Sequence, residues 1–251
     1  MGNDLDCHKI ELEEETIEQI FNEIPISKMP LEKIYKEFME CVNETTPEDS
    51  TDKPYSLDYF KYANFILPKI DIEENQYRNI HLDYFDNLRR TESKIENLGT
   101  ILIFLSIGSK EKKIEDLIDL FSKCYNTISQ FNLNEYILNV IKANSNLCVY
   151  SFMSSLPKEG IIILNEVYDL SRQKKLANFI MSNYNSLFQK YFKNNKTPSQ
   201  FDLDIKKNDN KYFLKEFFEL IYSMMNGVYI RNWLMEEYTK NKSVPIGGCC
   251  S

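Results

Sequence analysis

Apolar residues recur at intervals of three and four along nearly the whole chain, a spacing that gathers them on one face only when the backbone is α-helical. Ile17, Ile20, Phe21 and Ile24 form one such stripe, and Leu31, Ile34, Tyr35 and Phe38 form the next. Pro25 ends the first helix and Ser27 to Pro30 can open the second, since proline is tolerated in a first turn. The two read as a helical hairpin, followed by a Thr-, Asp- and Pro-rich loop over 43–54. The period returns in Ile114, Leu117, Ile118 and Phe121, in Leu176 to Tyr191, and in Phe217, Leu220, Ile221, Met224 and Val228. Breaks are expected at 106–109, 144–146, 157–160 and in the polar stretch 193–210. The expectation is an all-α chain with an acidic N-terminal tail and hairpin over 1–54. A helical domain over 55–155, a second over 156–243 and a Cys-containing tail over 244–251 complete it.

A chain of 251 residues, 43% hydrophobic and 13% aromatic, can bury a substantial core. Seven Gly and eight Pro are too few for a turn-rich β protein. The longest apolar stretch, Leu98 to Ile107, is half of the roughly 20 residues a bilayer span needs, so it reads as a buried helix. Residues 1–50 hold 14 Asp plus Glu against 4 Lys, a local balance of −10; against a whole-chain charge of −8, the remainder carries about +2. Acidity at one end, and no dense Lys/Arg patch with aromatics between, argue against nucleic acid as a partner. Of six cysteines, Cys41, Cys124 and Cys148 sit in apolar surroundings and read as small core residues of a reducing compartment, with no signal peptide expected. No Cys-x-x-Cys pair suggests zinc.

One short string recurs. A hydrophobic residue, any residue, Leu, any residue, an acid or aromatic, then an aromatic opens a helix at Tyr55-Ser-Leu-Asp-Tyr-Phe60, Ile80-His-Leu-Asp-Tyr-Phe85 and Phe131-Asn-Leu-Asn-Glu-Tyr136. Tyr212-Phe-Leu-Lys-Glu-Phe217 repeats it less regularly. The physical reading is one extended residue that pairs in a small β-bridge, followed at once by a helix with an apolar anchor in its first turns. The string resembles the second half of an EF-hand, with an apolar eighth place, Glu at the twelfth and an aromatic after it. In the third copy Ile114 to Phe121 looks like the entering helix, with Phe131 at the eighth place and Glu135 at the twelfth. The pattern also resembles the helical N-terminal module of TLDc proteins. An unrelated all-α fold whose amphipathic helices open with aromatic-rich turns would produce the same strings.

The resemblance implies EF-hand-like helical pairs with degenerate loops, because calcium needs six to eight oxygens and these loops lack them. Counted back from Glu135, places one, three, five and six hold Cys124, Asn126, Ile128 and Ser129. Counted back from Glu216 they hold Ile205, Lys207, Asp209 and Asn210, and a lysine would stand beside the cation. Tyr59 and Tyr84 occupy the twelfth place of the first two copies. Asn126, Glu135, Asp209 and Glu216 are therefore the residual metal candidates, and no cofactor is expected. The expected partner is a protein whose helix lies in an apolar groove, looked for between the Ile114 and Phe217 helices. A genuine calcium sensor and a structural subunit of a larger assembly remain the alternatives.

Met1-Gly2-Asn3 begins as an N-myristoylation signal does, although Asp6 stands where Ser or Thr is preferred. Cys7 can supply a second, acyl anchor, and stable attachment takes two. Val244-Pro-Ile-Gly-Gly-Cys-Cys-Ser251 resembles the paired-cysteine tails of Rab GTPases, which makes Cys249 and Cys250 candidates for palmitate. A flexible tail with exposed thiols is the other reading of that end. The expectation is a cytoplasmic protein, peripheral to a membrane where lipid is attached. His8 and His81 lack a nucleophile at a known catalytic spacing, and His81 reads as a partly exposed helix-start residue. Trp233, with Tyr229 and Tyr238, reads as core or as an interface anchor. A non-enzyme is expected.

Overall fold

A computed structural model describes residues 22–44, 55–90, 94–125, 127–153, 202–204 and 208–225, together with positions 175, 178, 182 and 187. The architecture is all-α with two short ladders. A 3-10 turn, Pro25–Lys28, leads into α1 (Leu31–Met39), strands β1 (Val42–Glu44) and β2 (Tyr55–Leu57), then α2 (Tyr59–Ile70) and α3 (Arg78–Arg90). After these come α4 (Ile95–Leu105), α5 (Lys110–Cys124), β3 (Thr127–Ser129), α6 (Gln130–Met153), β4 (Asp202–Asp204) and α7 (Asn208–Met225).

The stripe expected at Leu31 forms: α1 buries Leu31, Ile34 and Phe38, and Pro30 stands at its N-cap. β1 and β2 pair antiparallel, with Val42 opposite Leu57 and Glu44 opposite Tyr55, so Asn43 and Glu44, expected in a loop, are strand residues. Asp58 caps α2, accepting the Phe60 and Lys61 backbone N–H groups at 3.1 and 3.0 Å. The Lys61 N–H bond leads the interactions that hold the Asp58 carboxyl below the usual range.

The apolar stretch becomes α4, buried on every side from Ile95 to Ile103 and packed by α1, α5 and α6. A helix buried all round must accept neighbours at close range. Gly99 allows this, since a Cβ there would lie 2.5 Å from Leu120 Cδ2 and 2.8 Å from Phe38 Cε1. The break at 106–109 also forms, and it joins two helix starts. Ile107 bridges Pro30 in parallel fashion; Leu31 N–H donates to Ile107 O and Ile107 N–H to Met29 O, both at 2.8 Å. Gly108 lies against Leu31, whose Cβ would sit 2.9 Å from an added Cβ. Ser109 then caps α5 through the Lys112 N–H.

Three expectations need correction. The chain does not break at 144–146, because α6 runs unbroken from Gln130 to Met153; helix hydrogen bonding continues through a short Asn-rich stretch that propensity alone reads as a stop. The polar stretch 193–210 holds β4 and the first turn of α7. Ile80 lies within the first turn of α3, so the second copy of the string has no extended residue. β4 and α7, from the segment assigned to a second helical domain, pair with β3 and pack on α5 and α6. The aromatic centre of that packing is Phe121, edge-on to Tyr136 at 4.7 Å and to Phe218 at 4.8 Å. The stripes at 17–24 and 176–191 and the break at 157–160 lie largely outside the described residues.

Candidate functional site

The candidate site is the joint where α5 ends, β3 pairs with β4 and α6 begins. Its register differs from the one read in the sequence. Ile128, opposite Leu203 and fully buried, is the central paired residue, three positions before Phe131. Phe131 is in the first turn of α6 and 71% exposed; Tyr212 lies in α7 and is 68% exposed. The string is thus a helical turn in its third and fourth copies. Its first residue points outward, while Leu133 with Tyr136, and Leu214 with Phe217, enter the core. Only the first copy keeps an extended first residue, Tyr55 in β2. The missed signal was a cap. Ser129 accepts the Asn132 N–H at 3.2 Å, and a serine after β-branched Thr127-Ile128 marks a strand ending where a helix starts.

The N-cap and first two turns of α4 reach this joint with three side chains. Lys94, its N-cap residue, forms an ion pair with Glu135 of α6. Glu96 is 2% exposed and accepts the phenolic O–H of Tyr125, the residue that ends α5. Thr100 donates to the Glu96 carbonyl at 2.6 Å, which spends its only proton, so the Tyr136 hydroxyl 2.9 Å away donates to Thr100. Burial, and then the Glu96 carboxylate, push the Tyr125 phenol well above its ordinary pKa. A buried carboxylate is tolerable here because Glu96 sits at the amino end of α4, where the helix dipole favours negative charge.

Calcium does not fit the observed register. With Ile128 at the eighth place, places one, three, five and twelve hold Phe121, Lys123, Tyr125 and Asn132. With Leu203 there, they hold Lys196, Pro198, Gln200 and Lys207. Neither set offers a carboxylate, and each puts a lysine where the ion needs an oxygen. Among the described residues no group of three or more His, Cys, Asp or Glu side chains is arranged to hold a metal. Of the residual candidates, Glu135 is engaged by Lys94, Glu216 is half-buried in α7, Asp209 lies in the first turn of α7, and Asn126 is outside the described residues.

The apolar groove looked for between the Ile114 and Phe217 helices is closed. α5 and α7 pack directly, leaving Ile114 3% and Phe217 0% exposed. The large apolar side chains that remain exposed include Phe60, Phe131 and Tyr212, all near helix starts. His81 is likewise not a partly exposed residue, being fully buried. Asn75 Oδ1 accepts the Tyr77 N–H, so its amide nitrogen faces the Glu23 carbonyl at 3.2 Å and His81 Nδ1 at 3.1 Å. That ring nitrogen is therefore an acceptor in a structural tether. Gly2, Cys7, Cys249, Cys250, His8, Tyr229, Trp233 and Tyr238 lie outside the described residues. No helix among the described residues is long and apolar enough to cross a membrane. No family model, no curated protein and no solved structure matches the chain.

Proposed function

We propose that the chain is a non-catalytic binding or adaptor protein of EF-hand-like helix pairs that work without calcium. Lipid on Gly2 and Cys7, and on Cys249 and Cys250, would tether it to the cytoplasmic face of a membrane. The observation that carries the calcium-free part is the pairing of Ile128 with Leu203, which puts Phe121, Lys123, Lys196 and Lys207 at ligand places. Partner contact falls to side chains outside the closed α5–α7 seam, where Phe131 and Tyr212 are large apolar side chains left exposed.

Titration calorimetry with calcium on the full chain tests the first part. No saturable heat into the millimolar range is expected; saturable binding at micromolar calcium would make the protein a sensor instead. The intact mass of the protein from its own cells tests the second, since acyl or prenyl mass on the four anchor residues would put it on a membrane. A mass unchanged apart from loss of Met1 removes the tether and leaves an untethered binding protein.

A further inference from the structure

We infer that the first two turns of α4 are a built-in clamp on the α5–β3–α6 unit, fixing the joint that a loop cation fixes in a calcium-holding hand. The inference rests on reading that unit as a metal-free hand. In a calcium sensor the ion links the loop to the exiting helix, and its arrival or loss changes the angle between the helices. Here one residue at a ligand place, and two just beyond the loop in α6, reach sideways to a neighbouring helix. Tyr125, at the fifth place, is tied to Glu96 at the end of α5. Glu135 in the second turn of α6 is tied to Lys94. Tyr136, beside it, donates to Thr100, whose own proton holds the Glu96 carbonyl.

Three ties from the amino-terminal two turns of one helix thus span both helices of the unit. Two involve buried groups. Glu96 and Thr100 are 2% and 0% exposed, and Tyr125 and Tyr136 are 5% and 2% exposed, so water is a poor substitute for any partner lost. The clamp carries its own charge balance: Lys94 answers Glu135, and the amino end of α4 answers Glu96. Such a joint has one setting, in contrast to the two settings of a sensor.

Amide hydrogen exchange on the full chain tests this. Tyr125→Phe removes a hydrogen bond to a charged group, worth about 1.5–3 kcal/mol, so exchange at the β3 amides should accelerate more than about tenfold. Amides of α2 and α3 should keep their rates. Glu96→Gln combined with Tyr125→Phe leaves no buried charge unpaired, and serves where the single variant fails to fold; the same local acceleration is expected. Unchanged β3 rates, or acceleration spread evenly over the chain, would overturn the clamp. Repeating the measurement with millimolar calcium separates the two claims: slower β3 exchange in the unaltered protein sinks the metal-free reading alone.

Discussion

Tyr62 shows how a single atom can work against the fold around it. Its ring lies in the core, edge-on to Phe38, yet its hydroxyl is buried with no hydrogen-bond partner among the described residues. Removing an unsatisfied buried hydroxyl while keeping the ring should help, so Tyr62→Phe is expected to raise stability by about 1 kcal/mol, read as a higher urea midpoint. Cys41 gives a pH dependence. Burial pushes its thiol from an ordinary 9.0 up to about 11, so the folded chain holds that proton more tightly than the unfolded one. The stabilisation is complete below pH 9 and is lost as pH rises toward 11. Urea midpoints measured across that window should fall, and fall less in Cys41→Ala; an equal slope in both proteins would assign the loss to other groups. The burial of Cys41 and Cys124 was legible from their apolar neighbours. That of His81 was not, because it depends on a carboxamide six residues away and on the backbone of Glu23.

Among the elements, α1 and α5 could be read directly from an unbroken apolar period, and α4 from an apolar stretch too short to cross a bilayer. The β3–α6 junction could not. A hydrophobic string in a helix's first turns looks like an extended residue plus a helix, and only the Ser129 cap and the pairing of Ile128 separate the two readings. Ile128→Ala should therefore cost about 2–5 kcal/mol, whereas Phe131→Ser, on an exposed side chain, should change stability by no more than about 0.5 kcal/mol. Equal costs in urea denaturation would restore Phe131 as the paired residue. In α4, Gly99→Ala gains about 1 kcal/mol of helix propensity but forces Leu120 and Phe38 apart at about 1–3 kcal/mol. A β-branched residue loses most of that offset, so Gly99→Val is expected to lower the urea midpoint further than Gly99→Ala.

At the scale of the whole molecule, the all-α class followed from periodicity alone, but long-range pairings carry no period and could not be read. The packing of α7 on α5 bears directly on where the chain can be cut. Stopping at residue 155, the boundary suggested by the polar stretches, would strip α7 from Phe121 and Tyr136 and leave Ile128 without Leu203. Such a fragment should keep far-ultraviolet helical signal, lose near-ultraviolet signal and bind a hydrophobic dye; native-like near-ultraviolet signal would show that 55–155 folds by itself. The two distant bridges also bear on how the chain comes to be folded. Pro30 with Ile107, and Ile128 with Leu203, close two consecutive, non-overlapping loops of nearly equal length. Chain-closure entropy grows only with the logarithm of loop length, so neither loop has an entropic head start over the other. Emergence from the ribosome breaks that tie: the first loop can close as soon as Ile107 is free, long before Leu203 has been made.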